Sequence, residues 1–256
     1  MSEGTGSAGG GTQAWFVSGP ARPEAAVRLF VLPYAGGSAA AYARWGELFP
    51  AEVEVCPVQL PGRQNRRMEP PCTDLEALVE ALYDAVEDEL DGRPFAFFGH
   101  SMGGLLGYRL TVAMAADGGP QPALLAVSAW AGAAHRPHPE PIEQLDEEEF
   151  LERVRKFGAL PPEVAENREL RKLVLPALRA DFCVVNGYRD DAAPVPCPVV
   201  AYTGRDDPML DSAAMHSWAE LTGDFRGVRE FQGGHFYLHE QATALAADLS
   251  LQLRHR

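Results

Sequence analysis

The sequence predicts an α/β fold: a mostly parallel central sheet with helices on both faces and a helical insertion. Three observations carry that prediction. Strand-like runs are apolar at nearly every position, helical patterns alternate with them, and one long stretch lacks strand character altogether. Strands apolar on both faces belong in a parallel sheet covered on each side.

The strand candidates, in chain order, are VRLFVL (27–32), VEVCPV (53–58), FAFFG (95–99), LLAVSA (124–129), PVVAYT (198–203) and GVREF (227–231). The clearest helix is DLEALVEALYDAVEDEL (74–90), in which Leu75, Leu78, Val79, Leu82, Val86 and Leu90 form one apolar stripe. Either Thr73 or Asp74 can cap it. Between Gly132 and Asp191 the composition turns to charge, proline and helical spacing. LDEEEFLERVRKF (145–157) is amphipathic and residues 166–191 continue in helical style, with Pro161, Pro162 and Pro176 as punctuation. An insert at this point lies over the strand ends as a lid, where open parallel sheets carry their sites.

The length of 256 residues fits one α/β domain, expected over 14–256 behind a flexible tail at 1–13. The formal charge of −14, from 36 acidic and 22 basic side chains, disfavours nucleic acid and anionic membranes as partners. The opening MSEGTGSAGGGTQ has neither the basic region nor the apolar run of an export signal. No apolar stretch reaches the roughly 20 residues of a membrane span, so a cytoplasmic protein is expected. Cys56, Cys72, Cys183 and Cys197 lie far apart without metal-ligand spacing and are read as reduced and structural.

The stretch FFGHSMGGLLGY ends a buried strand on Gly99, His100, Ser101, Met102 and Gly103 and then continues as a helix. A serine between a strand and a helix, with glycines two positions to either side, is the pattern of a sharp strained turn that lifts the hydroxyl above the sheet. The helix that follows starts with free N–H groups, the first on Met102, that can stabilise an oxyanion. Such a serine needs a base and the base needs an orienting acid, which in α/β-hydrolases follow in the order Ser, Asp or Glu, His. His235, behind two glycines and just after the last strand, is the base candidate. His100 packs beside the nucleophile, His239 is expected on the helix that follows, and His216 on a surface helix; His135, His138 and His255 fall in exposed-looking segments. After the preceding strand, YTGRDDP supplies two aspartates, of which one is surplus. Asp206 is read as an ordinary turn residue and Asp207, beside Pro208, as the preferred acid.

Taken together, LPYAGGSAAAYARW, VQLPGR, GHSMGG, PALRADF, YTGRDDP and GGHFYL resemble, in order and spacing, the type II thioesterases that accompany polyketide synthases and nonribosomal peptide synthetases. The resemblance runs from about Trp15 to the C-terminus. It implies Ser101 as nucleophile, Asp207 as acid, His235 as base, and the backbone N–H groups of Ala35 and Met102 as oxyanion donors. The glycines of PYAGGS agree, because Gly36 and Gly37 let backbone donors approach a ligand closely. Arg63 of LPGR is read as a structural ion-pair residue. The tail and the first half of the lid (132–166) follow the family pattern loosely.

The resemblance further implies acyl thioesters on the phosphopantetheine arm of acyl or peptidyl carrier proteins as substrates, with no cofactor and no metal. Tyr34, Phe150, Phe157, Phe182 and Phe236 are the substrate-binding candidates, and Val154, Leu160, Leu173 and Leu178 are expected on the lid's inner side. GRQNRRM (62–68) and RVRKF (153–157) are the basic segments available to an acidic carrier protein. A monomer is expected. The alternatives are a small-ester hydrolase or a chain-releasing acyltransferase on the same triad, and a non-catalytic partner that only binds carrier domains.

Overall fold

The computed structural model of the protein describes residues 15–17, 22–132, 141–158 and 162–254. Six strands, β1 (Val27–Leu32), β2 (Val53–Pro57), β3 (Phe95–His100), β4 (Leu124–Ser128), β5 (Val199–Gly204) and β6 (Phe225–Phe231), form one sheet in the order β2-β1-β3-β4-β5-β6. Every neighbouring pair is parallel. The helices are α1 (Leu75–Glu89), α2 (Met102–Ala116), α3 (Glu147–Lys156), α4 (Pro162–Glu166), α5 (Arg168–Gly187) and α6 (Ala242–Arg254). No helix of the described residues is long and apolar enough to cross a membrane.

All residues of β1, β3, β4 and β5 are buried, which is why these segments read as nearly continuous apolar runs, broken only by Arg28, His100, Ser128 and Thr203. Alternate side chains feed two cores. Phe30, Phe97, Leu125 and Val199 point toward α1 and α2, where Leu78, Leu82, Leu105 and Leu106 meet them. Val31, Phe98, Ala126 and Val200 point the other way, against Tyr42, Trp45 and the Leu245, Leu249 and Leu253 stripe of α6. Asp74 caps α1, its side chain accepting from Ala77 N. The edge strand β6 is only half-buried and starts two residues before the apolar run predicts, because Phe225 and Arg226 pair along an edge that apolarity does not mark. Cys56 and Cys197 are buried free thiols, and burial pushes them up to about 11 and about 12, into the inert range.

Between β4 and β5 the described chain is helical, and its side chains form a third cluster of their own: Ile142, Phe150, Leu151, Val154, Leu175 and Leu178, with Phe157 and Phe182 at its margin. Three expectations change here. Pro176 does not punctuate the segment but lies inside α5, whose buried face holds the helix together despite the missing N–H. Leu173 points outward and is 66% exposed, so it belongs to the outer face rather than to the inner side of the lid. Arg66 is buried: it stacks 3.9 Å over the Trp15 ring, pairs with Glu69 at 2.5 Å and donates to Gln59 O, and therefore does not present its charge to a partner. Leu160 lies outside the described residues.

The carboxyl end of the sheet is stitched by a buried polar chain in which Tyr237 Oη lies 2.6 Å from Ser128 Oγ, which lies 2.8 Å from His100 Nδ1. His100 is fully buried, and burial holds its imidazole well below its ordinary value, hence neutral. The glycines around Ser101 show how tightly the same edge is packed. A Cβ on Gly99 would lie 2.0 Å from the Gly103 carbonyl oxygen, and one on Gly103 would lie 2.2 Å from that of Leu32.

Both contacts are with backbone and cannot be relieved by a rotamer change. Gly103→Ala is therefore expected to cost about 3 kcal/mol or more, at the upper end of overpacking penalties, and to appear as a large drop in the urea midpoint. A loss within 0.5 kcal/mol, about the level of an ordinary surface substitution, would contradict the packing. His100 generates a pH expectation. The unfolded chain binds a proton there below about pH 6.5 and the folded chain does not, so stability falls as pH drops from that point, by up to about 1.4 kcal/mol per pH unit. Unfolding curves between pH 7 and 5 should show that slope in the wild type and a shallower one in His100→Gln.

Candidate active site

The strand order reverses direction at β1, which has β2 on one side and β3 on the other. Such a switch point leaves a crevice beyond the carboxyl ends of the two central strands. The loops leaving β1 and β3 therefore lie side by side, with Leu32 paired to Gly99 at their last shared register. The first carries Tyr34, Ala35, Gly36 and Gly37, and the second carries Ser101.

Ser101 has φ +53° and ψ −119°, a backbone conformation that L-residues adopt only under constraint. The constraint is visible. Its N–H donates to Ser128 O at the end of β4, its carbonyl accepts from Gly104 and Leu105 as α2 begins, and the two flanking glycines let β3 and α2 cross at contact distance. The hydroxyl makes no capping hydrogen bond to α2, so it is not consumed by the helix it precedes. Met102 N–H, the first of α2, and Ala35 N–H donate to no acceptor among the described residues.

His235 and Asp207 come from the two strands at the far side of the sheet. Asp207 follows β5, and its carboxylate is anchored by accepting from Met209 N at 2.8 Å through Oδ1. Its Oδ2 lies 2.8 Å from His235 Nδ1, and both side chains are almost wholly enclosed. An ionised carboxylate can only accept, so Nδ1 carries a proton, and in the neutral ring Nε2 keeps its lone pair. Of the two aspartates, Asp207 meets the histidine, while Asp206 is exposed with its backbone N–H on Gly233 O.

His235 reaches toward the Ser101 turn because the segment after β6 folds back over the end of β5. A Cβ on Gly204 would lie 2.3 Å from Gly234 O, so the loop passes directly above that strand end. The His235 ring comes to 5.0 Å from that of His100, the residue before Ser101. Among the described residues no hydrogen bond within 3.5 Å joins the Ser101 hydroxyl to His235. Contacts of this kind commonly tighten only when substrate is bound.

The substrate-binding candidates divide into two groups. Tyr34 and Phe236 meet edge to face at 5.0 Å at the rim, and His239 stacks on Phe236 at 5.9 Å with its Nε2 3.4 Å from Tyr34 Oη. His239 lies in the turn that precedes α6 rather than on the helix, which is how it joins this wall. Phe157 and Phe182 are half-buried at the margin of the helical insertion, whereas Phe150 is wholly enclosed by that insertion's own packing, edge-on to Phe182 and under Arg179. His135, His138 and His255 lie outside the described residues. His216 is exposed on a 3-10 turn.

Sequence reasoning overlooked Asp181. Its carboxylate, 1% exposed, takes both ends of the Arg63 guanidinium at 2.7 and 2.8 Å and also accepts from Gly36 N at 2.7 Å. A signal was present in PALRADF, where an aspartate occupies the same helical face as the buried Leu178 and Val184.

The thioesterase-domain family profile matches residues 27–253 of this chain. Gramicidin S biosynthesis protein GrsT of Aneurinibacillus migulanus is 36% identical over 245 residues, covering 94% of each chain. Thioesterase PikA5 of Streptomyces venezuelae is 35% identical, covering 89% of this chain and 81% of its own. The solved structure of the type II thioesterase BorB, from the borrelidin biosynthetic cluster, superposes with a TM-score of 0.84 at 33% identity and covers 94% of this chain and 98% of its own. With its six parallel strands, its serine turn and this breadth of similarity, the chain belongs to the thioesterase family and, within it, to the type II thioesterases.

Proposed function

We propose that this thioesterase hydrolyses acyl groups from the phosphopantetheine arm of carrier proteins in a nonribosomal peptide or polyketide pathway, using Ser101, His235 and Asp207. The observation that carries the reading is the 2.8 Å contact between His235 Nδ1 and Asp207 Oδ2 on the sheet edge that also holds the strained Ser101 turn. The pathway class is supported by the names of the relatives, one a protein of gramicidin S biosynthesis and one from the borrelidin cluster.

A neutral serine is a weak nucleophile, so the reaction begins when His235 Nε2 takes the hydroxyl proton as Ser101 Oγ attacks the thioester carbonyl carbon. The ring is then positively charged beside the carboxylate of Asp207, which stabilises that charge and holds the tautomer that left Nε2 free. Negative charge on the carbonyl oxygen is received by the N–H groups of Met102 and Ala35, the first with the favourable end of the α2 dipole behind it. Collapse of the tetrahedral species breaks the C–S bond, and the leaving sulfur takes the proton from Nε2. Water then gives its proton to Nε2 and attacks the acyl carbon, and a second collapse returns the proton to Ser101 Oγ and frees the acid. The acyl chain lies between the rim wall of Tyr34 and Phe236 and the aromatic margin of the lid at Phe157 and Phe182, with Phe150 supporting that margin from behind.

Turnover of acyl-loaded carrier protein, followed by the mass of its phosphopantetheine arm, tests the assignment. Ser101→Ala should lower kcat by about a million-fold and Asp207→Asn by about ten-thousand-fold, while Asp206→Asn stays close to wild type. Near-normal turnover in folded Ser101→Ala would remove the nucleophile assignment, and a severe loss confined to Asp206→Asn would move the acid by one residue. The same acyl group offered as an oxygen ester is expected to react more slowly than the carrier-bound thioester. The opposite order would reassign the substrate class.

A further inference from the structure

The loop that carries Ala35 is held from the lid side. Asp181, on the buried face of α5, accepts from Gly36 N at 2.7 Å through the same oxygen that Arg63 Nη1 approaches at 2.8 Å, and Arg63 Nη1 also donates to Gly37 O at 2.9 Å. The second arm of the guanidinium closes the pair, Nη2 to Asp181 Oδ1 at 2.7 Å. Leu178, one turn earlier on α5, covers Gly36 so closely that a Cβ there would meet Leu178 Cδ1 at 2.8 Å, and Ala35 itself packs against the lid cluster. Two segments remote in sequence, α5 and the loop of Arg63, thus converge on the two residues that follow Ala35.

A buried ion pair is a poor source of net stability, because desolvation offsets much of the attraction. Its value here is geometric. An oxyanion donor is effective only when it lies 2.7–3.1 Å from where the oxyanion forms, a tolerance of a few tenths of an ångström. The Ala35 N–H donates to no group among the described residues, and its peptide plane is tied through the Tyr34 carbonyl, which accepts from Gly37 N at 2.8 Å, to the two residues that Asp181 and Arg63 hold.

We infer that Asp181 and Arg63 are positioning residues for the Ala35 oxyanion donor, and that through them the lid helix α5 sets the alignment of the catalytic edge. The inference rests on the proposed reaction, in which Ala35 N–H receives the oxyanion. It makes the lid part of the chemistry as well as a cover for the acyl chain: displacement of α5 withdraws the carboxylate from Gly36 N and releases the donor.

The test uses the full chain in three forms: wild type, Asp181→Asn, and the double variant Arg63→Leu/Asp181→Leu, which removes the pair without leaving a lone buried charge. For each, kcat and KM are measured on an acyl-phosphopantetheine thioester, along with the rate at which a fluorophosphonate labels Ser101 and the unfolding midpoint. The double variant is expected to fold cooperatively and to lose about a hundred-fold in kcat, the cost of one oxyanion donor, with KM changed less than about threefold and labelling slowed in parallel. If the double variant does not fold, Asp181→Asn decides the matter: it retains an acceptor for Gly36 N but weakens the Arg63 pair, and a roughly tenfold fall in kcat at constant KM is expected. A folded variant that keeps wild-type kcat and labelling rate overturns the inference. Absence of Ser101 labelling in the wild type would instead overturn the proposed reaction itself, so the two failures are distinct.

Discussion

The backbone of Ser101 is the constraint on which the rest of the site depends. A non-glycine residue at φ +53° is held there only if its surroundings leave no alternative, and here they do not. Gly99 and Gly103 allow β3, α2 and the end of β1 to meet through their backbones, closer than any side chain would permit. The turn then has one outlet for its side chain, away from the sheet and toward solvent. The hydroxyl and the first N–H of α2 are fixed by the same turn, so the proposed nucleophile and oxyanion donor share one rigid frame.

The remaining groups must be brought to that frame across the sheet. From β3 to β6 there are three strand spacings, about 14 Å, which no side chain spans. The chain solves this by returning the segment after β6 over Gly204, and the polar chain from Tyr237 through Ser128 to His100 fixes the returning segment to the ends of β4 and β3. Asp207 enters from beneath, at the end of β5, and fixes the ring orientation of His235. On the opposite flank, the loop after β1 is held by Arg63 and by Asp181 from the lid. The sheet supplies alignment and the loops supply reach.

Much of this was legible in the sequence, and the reasons differ from element to element. The buried strands announced themselves because burial on both faces disfavours polar residues, whereas the apolar run of the edge strand β6, with Arg226, Arg229 and Glu230 along it, is two residues shorter than the strand. The turn at Ser101 and the loop at His235 were legible because a strained turn and a returning loop both demand glycines at fixed places. Asp206 and Asp207 were not separable from composition, since the choice rests on which carboxylate the turn directs inward. Arg66 and Leu173 were misplaced for a shared reason: charge and apolarity predict exposure only on average, and Trp15 gives the arginine an aromatic seat while the outer face of α5 leaves the leucine in water. The pairing of Arg63 with Asp181 joins residues 118 apart in sequence, and local pattern carries no record of such a contact.

In the proposed reaction the acyl group passes through covalent attachment to Ser101. Rapid-quench mass spectrometry of the chain mixed with acyl-loaded carrier protein tests it most directly. Covalent catalysis at Ser101 gives an acyl mass on the peptide that contains it, forming and decaying at rates compatible with turnover. Turnover that proceeds with the acyl mass on another residue, or with Ser101 unmodified at every time point under conditions where deacylation is slowed, would contradict it.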